Sequence, residues 1–479
     1  MKILLVLDHS GFFSYISSTM ASLSQAGAEV KVITKLGPKG DEKYQQFMLD
    51  TTAEYDRASC EFTLRKRKDS WQHRIQALRG LFDYAVYFRR QHTSPQLAAR
   101  REDRCPRVLR PPARTSASRA VLSRDESLRL YRRAAALLPA DRRIASQIAA
   151  ENPDVVVGCP FISPMCWDVE YLRAAQSLNI PTAASIASWD YFSTKGTFHL
   201  MTDSVLVWNE RLAREAEILH AVPADRIMRS GAPVFDPYFE AKPSLDRDRF
   251  CSEVGIDPTQ PYVVYLGSSE NIIGDETDFV RVLARELRKQ SNTGHLQVLV
   301  RPHPRNGAPW ERFNEEDVTV FPRFPEPPDL QAPRDDYFNT LGHAIAAVGI
   351  NTTAFIEAAI AGLPCLSVVN ERHRSGQLEL GHFRHLLESD FIEMAPDTRT
   401  LVQALREILD GNDRRTPARQ RFVESFLRPS GVSLRAGDTM AEAIVATAHA
   451  GRRPAEAILD RGDRSGGTPS AAAPAQVRP

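Results

Sequence analysis

Apolar positions along the chain fall into short unbroken runs that alternate with helical spacing. Ile3 to Leu7 is one such run, and Phe13, Ile16, Met20 and Leu23 then recur at three- and four-residue intervals up to Gly27. Gly27 suits a helix C-terminus. Glu29–Thr34 reads as the next strand, so the chain opens as strand, Gly-containing loop, helix, strand, the start of a doubly wound α/β domain. The alternation resumes with strands at Asp154–Gly158, Thr182–Ile186, Ser204–Val207 and Arg226–Ser230, and with helices near Asp168–Leu178 and Glu210–His220. Apolar runs without alternation predict strands covered on both faces, hence a parallel sheet.

Between these stretches, Trp71–Arg90 and Leu128–Ala150 have helical spacing, whereas 94–123 is rich in Arg, Pro, Ser and Ala with no apolar period and reads as a disordered loop. Pro233–Pro261 carries five prolines and reads as a connection between domains. A second α/β alternation follows. It has strands at Tyr262–Leu266, His295–Val300, Ala344–Gly349 and Cys365–Val369, helices at Phe279–Lys289, Thr353–Gly362, Leu401–Leu409 and Arg419–Phe426, and a Pro-rich loop at Pro322–Pro333. At 479 residues the chain exceeds one hydrophobic core. The expected division is a first domain over 1–235, a connection over 236–261, a second domain over 262–430, a final helix over 431–450 able to cross back to the first domain, and an unstructured tail over 451–479.

Composition changes this picture little. Lys and Arg number 61 and Asp and Glu 60, which gives no reason to expect a nucleic-acid partner. The charge is unevenly placed, however: residues 57–133 hold 20 Arg/Lys against 7 Asp/Glu, so one stretch suits an anionic lipid-linked glycan or a phospholipid surface. The six cysteines form no CxxC pair, which points to reduced thiols in a cytoplasmic protein and away from zinc or a disulfide framework. The apolar run at the start is too short for a secretory core or a membrane span.

Ligands of open parallel sheets sit beyond the carboxyl ends of the strands. Three loops in the second half carry matching chemistry there. In GSSEN, Gly267 permits close backbone approach while Ser268 and Ser269 offer hydroxyls to a phosphate. In RPHPRN, two prolines fix the direction of His303, and Arg301 and Arg305 flank it as cations for a diphosphate. In GINTTAFIEAAIAGLP, Asn351, Thr352 and Thr353 head a helix, and Glu357 lies one turn beyond Thr353 on the same face, where its carboxylate can accept both ribose hydroxyls. In the first half, the DHSGFF loop places His9 beside Asp8, a candidate general base oriented by a carboxylate. The SWD…KG turn supplies Trp189 for stacking on a sugar or lipid headgroup, Asp190 as a second proton acceptor, and Lys195 to neutralise a leaving phosphate. Packing and a plain loop ion pair explain these last three residues equally well, and Asn209 and Glu210 read as the cap of the helix they begin.

The order of strand, His-Pro bend, strand, polar turn, Glu357 and AAIAGLP resembles the nucleotide-binding half of GT-B glycosyltransferases and of their relatives, the non-hydrolysing UDP-N-acetylglucosamine 2-epimerases. The His-Pro bend with its downstream Ser/Thr turn is also similar to capsule glycosyltransferases, bacterial sialyltransferases and CDP-glycerol glycerophosphotransferases. The resemblance implies two Rossmann-like domains facing across a cleft, with Thr352 and Thr353 gripping a diphosphate and Glu357 binding ribose. It implies sugar transfer from a UDP-, CDP- or GDP-linked donor to a hydroxyl of a glycan or lipid-linked acceptor, in surface polysaccharide or glycolipid synthesis. A UDP-sugar 2-epimerase or a CDP-glycerol-type transferase is the alternative. No Asp-x-Asp pair falls where a strand would present it, so catalysis is expected without a metal and without a resident cofactor.

Overall fold

The computed structural model describes residues 1–35, 42–89, 95–162, 166–270, 272–289, 295–326, 331–369, 377 and 381–451. Its first sheet is built from β1 (Lys2–Leu7), β2 (Glu29–Ile33), β3 (Ala58–Glu61), β4 (Val155–Cys159), β5 (Thr182–Ser185), β6 (Ser204–Val207) and β7 (Ile227–Arg229), in the order β3-β2-β1-β4-β5-β6-β7. The second comprises β8 (Tyr262–Leu266), β9 (Gln297–Arg301), β10 (Val318–Val320), β11 (Ala347–Val348), β12 (Cys365–Val368) and β13 (Ile392–Ala395), in the order β10-β9-β8-β11-β12-β13. The strands of both sheets pair in parallel. This is the doubly wound α/β architecture that the unbroken apolar runs predict, because β1, β4, β8 and β12 are covered on both faces.

The strand order reverses between β1 and β4 in the first sheet and between β8 and β11 in the second. Crevices outside the carboxyl ends of strands open at such points. The helices that cover the sheets form where apolar spacing dictates. Thr277–Lys289 turns Phe279, Val280, Leu283 and Leu287 inward, each contributing about 1.5–3 kcal/mol by burial. Ala354–Ile360 ends at Gly362, whose φ of +79° lets Leu363 N–H reach Ala358 O at 2.9 Å.

The final helix, Ala436–Gly451, lies on the first sheet. It packs along helix Ser17–Gln25 and reaches β4, β5 and β6. The approach is close enough that a Cβ on Gly437 would sit 2.2 Å from Ser18 Oγ. Asp236 secures this crossing. Its fully buried carboxylate accepts hydrogen bonds from Ser18 Oγ (2.6 Å), Arg428 Nη2 (2.7 Å), Ala436 N (3.0 Å) and Gly437 N (2.7 Å).

Several elements differ from the sequence expectation. The stretch expected to be a disordered loop forms helices at Pro95–Glu102, Arg110–Ala113 and Ser116–Leu122; residue 94 lies outside the described residues. These helices close over small apolar clusters, Phe82 with Leu128 and Tyr131, and Tyr84 with Cys105 and Ala113, too dispersed in sequence to show as a period. The helical pattern over Leu128–Ala150 is two helices, Asp125–Ala136 and Arg142–Glu151, parted around Pro139 as a proline requires. The connection over 236–261 carries helices Asp236–Glu240 and Arg247–Val254. Strands β3, β10 and β13 and helix Glu42–Ala53 are short or mixed in polarity and escaped the pattern. The tail expected to be unstructured lies outside the described residues from 452 onward.

Candidate functional site

The loops after β8, β9 and β11 meet at Ser268. Gly267 N donates to Arg301 O at 3.0 Å, and a Cβ on Gly267 would lie 3.0 Å from the His303 nitrogen, so the first loop rests directly on the His-Pro bend. Asn306 Nδ2, at the far end of that bend, donates to Ser268 O and Ile273 O, both at 3.0 Å. From the other side Asn351 N donates to Ser268 Oγ at 3.3 Å, and a Cβ on Gly349 would lie 2.9 Å from Leu266 O. The His-Pro bend and the threonine-headed coil therefore form one cradle at the reversal point of the second sheet.

Within the cradle the side chains are placed unevenly. Ser268 was expected to give its hydroxyl to a phosphate. Here it is buried and donates to Glu276 Oε1 at 2.7 Å, with its N–H donating to Glu276 Oε2 at 2.7 Å and Tyr265 completing the set at 3.0 Å. Burial pushes the Glu276 carboxyl up to about 7, against the hydrogen bonds that favour its ionised form. Ser269 is half-buried and Thr353 is exposed at the cradle surface, while Asn351 and Thr352 are buried beneath. The helix these residues head, Ala354–Ile360, has only seven residues, so its dipole contributes less than the sequence suggested.

Arg301 was expected as an open cation beside His303. It is buried instead, stacked between the rings of Phe321 (5.6 Å) and Tyr337 (5.3 Å), and donates to Thr340 Oγ1 at 3.3 Å. Burial lowers its pKa to about 10. His303 accepts the Arg305 N–H at Nδ1 (3.0 Å), which leaves its neutral ring with a proton on Nε2. Burial, and then the Arg305 charge, hold it down to about 4, so the ring is a neutral hydrogen-bond donor at physiological pH. Arg305 itself is exposed and supplies the accessible charge. Glu357 is half-buried, and its charge helps burial raise the phenol of Tyr337. Glu276, Asn306 and Tyr337 were not singled out by the sequence. Asn306 sits inside the RPHPRN motif and was within reach; Glu276 looks like any acidic residue at a helix start, and Tyr337 like one more core aromatic.

In the first half, Asp8 does not serve to orient His9 as expected. Its oxygens accept the Trp167 N–H at 3.0 Å and pair with Lys35 Nζ at 3.1 Å. The His9 ring caps the turn Ser10–Tyr15 by accepting Gly11 N–H at 3.2 Å and lies 4.4 Å from Phe12. Trp189 is buried between the halves, edge-on to His385 at 5.9 Å and Phe426 at 6.5 Å, rather than open to a sugar. Asp190 accepts hydroxyls from Ser188 (2.7 Å) and Thr194 (2.9 Å) and lies 3.9 Å from Lys195, the loop arrangement that served as its alternative explanation. Asn209 caps helix Glu210–His220 through Leu212 N and also donates to Phe426 O at 2.8 Å. A carboxylate not anticipated, Asp168, is buried at the start of helix Asp168–Ser177, where burial and the neighbouring Asp8 raise it to about 6.

A cavity of about 570 Å³ is lined by Ser14, Lys43 and Phe47 of the first half, Tyr238 of the connection, Arg334 of the second half and Arg435 just ahead of the final helix. Among the described residues no group of three or more His, Cys, Asp or Glu is placed to hold a metal ion, and no helix is long and apolar enough to cross a membrane.

No family model matches this chain, and no curated protein does. Solved structures do. The UDP-GlcNAc 2-epimerase from Methanocaldococcus jannaschii superposes with a TM-score of 0.52 at 12% identity over 93% of this chain and 100% of its own. The enzyme of the same name from Neisseria meningitidis, bound to UDP-GlcNAc, gives 0.51 at 11% identity over 93% and 100%. A glycosyltransferase from Rickettsia africae gives 0.51 at 10% identity over 95% and 99%. At these identities the likeness establishes architecture: the chain has the GT-B fold, two parallel-sheet α/β lobes, shared by glycosyltransferases and UDP-GlcNAc 2-epimerases.

Proposed function

We propose that this protein is a glycosyltransferase that moves a sugar from a nucleotide-activated donor to a hydroxyl acceptor. The observation that carries the reading is the convergence of three strand-end loops on Ser268 at the reversal point of the second sheet. The donor diphosphate lies over Ser269, Thr353 and the His303 ring, with Arg305 as the charge open to it, and the ribose hydroxyls meet Glu357 one turn into the following helix. Donors fixed in a site that excludes water stabilise the charge that grows on the leaving diphosphate. Buried Arg301 and Glu276 shape the cradle from behind. Of the two acid–base candidates, His9 is favoured, because it sits at the carboxyl end of β1 beside the reversal point of the first sheet, whereas Asp190 is engaged by two hydroxyls. As base, His9 must give up the Gly11 N–H, either freeing its Nδ1 lone pair or moving its proton to Nδ1 so that Nε2 is open.

Epimerisation of a UDP-sugar is the second reading, favoured by the fold similarity to UDP-GlcNAc 2-epimerases. Thermal-shift measurements with UDP-, GDP-, CDP- and dTDP-sugars and with CMP-linked sugars test the donor site, because a ligand of the native state raises its stability by mass action. Proton NMR of the protein with UDP-N-acetylglucosamine alone separates the two: interconversion at C2 without acceptor establishes the epimerase. No stabilisation by any of these nucleotides rejects both.

A further inference from the structure

The helices over 72–136 bury one set of arginines and display another. Arg132 is buried, with Nε donating to Phe198 O at 2.8 Å, and Arg101 is buried against the carbonyl of Asp83 at 3.2 Å. These are structural. Outside stand Arg104, Arg107, Arg124, Arg129 and Arg133, all exposed. Residues 95–133 hold 11 arginines against 4 carboxylates. Glu102 pairs with Arg114, Asp103 with Arg110 and Asp125 with Arg89, which leaves the net excess of arginine unchanged and the exposed arginines outside these pairs, so the field of this region is positive.

Large apolar side chains are exposed in this region too. On helix Asp125–Ala136, Leu128, Tyr131, Arg132 and Ala135 form the inner face. The opposite stripe carries Leu130 and, seven residues on at the helix cap, Leu137, with Arg129 and Arg133 alongside. Leu130 is 67% exposed and Leu137 86%. Two residues seven apart lie two turns along one face. The neighbouring helix Ser116–Leu122 adds Val121, 51% exposed. A leucine stripe flanked by arginines is the pattern of a helix that lies in a bilayer interface, apolar side chains below the headgroups and cations among the phosphates.

We infer that the outer face of helix Asp125–Ala136, Leu130 and Leu137 with Arg129 and Arg133 beside them, docks this protein on a membrane surface rich in anionic phospholipid. A nucleic-acid backbone would satisfy the arginines equally but leaves Leu130 and Leu137 in water, which is why the bilayer is the better partner. Docking here brings the half that receives the acceptor to the plane where a lipid-linked hydroxyl would be found, although the surface itself does not depend on the donor-site reading.

The test is flotation of the full chain with vesicles of phosphatidylcholine alone and of phosphatidylcholine with one third phosphatidylglycerol. The protein should float with the anionic vesicles only, and added salt should weaken this. Arg129→Gln with Arg133→Gln should lower the partition constant about 5-fold for each arginine removed. Leu130→Ser with Leu137→Ser should lower it further while leaving the salt dependence as in the parent. All four positions are exposed, so circular dichroism of both variants should match the parent. Equal flotation with both vesicle types, no flotation, variants that float as the parent does, or displacement from anionic vesicles by a DNA homopolymer at lower phosphate concentration would each overturn the inference.

Discussion

Replacing Glu357 with glutamine keeps the side-chain volume and removes the charge, so it isolates the proposed contact with the ribose. The side chain is half-buried on the helix that starts beside the cradle, and its charge is felt by the buried phenol of Tyr337. A hydrogen bond to an ionised group contributes about 1.5–3 kcal/mol net. Losing one such bond should weaken binding of UDP-N-acetylglucosamine by about 10- to 150-fold. Isothermal titration calorimetry of parent and variant, each with the nucleotide sugar and with its 2′-deoxyribose analogue, makes a double-mutant cycle across the contact. If Glu357 holds the ribose, the analogue should bind the parent more weakly and lose less than the ribose ligand on substitution, because only its 3′-hydroxyl still meets the side chain. If the variant loses the same factor with both ligands, the carboxylate acts through the fold and the ribose assignment is wrong. Unchanged affinity of the variant for the parent ligand refutes it outright.

Asp236→Ala should be severely destabilising, by about 3–5 kcal/mol, because it leaves Arg428 buried without its ion-pair partner and two N–H groups of the crossing helix unmet; calorimetric melting that matches the parent would show the crossing to be held elsewhere. Glu276 is raised to about 7 in the folded protein from an ordinary value of 4.5, so its neutral form is favoured and its contribution fades as pH rises through that window. Glu276→Gln should therefore flatten the fall in melting temperature toward pH 8, by an amount worth about 3 kcal/mol. His303, depressed to about 4 from 6.5, contributes in the opposite sense: its share is present above pH 6.5 and is lost as pH falls toward 4. His303→Asn should thus reduce the acid sensitivity of the fold, and equal slopes of stability against pH between 4 and 6.5 in variant and parent would contradict the burial of that ring.

The alternation of apolar runs and helical spacing was enough to place most of the strands of both sheets, because a strand covered on both faces needs an unbroken run and a covering helix needs its stripe. The cradle was partly legible for the same reason: loops that end such strands are where glycine, proline and polar residues stand out. What escaped detection was anything decided by tertiary burial. Arg301 and Arg305 have the same side chain one and three positions from the same two prolines, yet one is stacked between aromatic rings supplied by residues 321 and 337 and the other is open. Ser268 and Ser269 are neighbours, yet one hydroxyl belongs to Glu276. Trp189 could not be assigned to packing until His385 and Phe426, nearly two hundred residues or more away, were seen beside it.

Those distant contacts also define how the two halves can move. On the side of β5 and β6 the seam is apolar and interlocked, with Trp189 against His385 and Phe426, Asn209 on the Phe426 carbonyl, and His385 2.9 Å from Glu215. Asp236 pins the same seam to the first helix. On the side of β2, Lys43 meets Glu326 across the gap as an exposed ion pair, a contact worth less than about 1 kcal/mol and weakened by salt. A hinge forms where contacts are dense and opening occurs where they are weak, so the cleft should swing about the Trp189–Asp236 seam and part at Lys43. The cavity of about 570 Å³ includes Lys43 in its wall, which places it on the opening side. Closure there would bring the amino-terminal loops toward the cradle at Ser268 without disturbing the crossing helix, the arrangement that the proposed reaction, which must exclude water, needs.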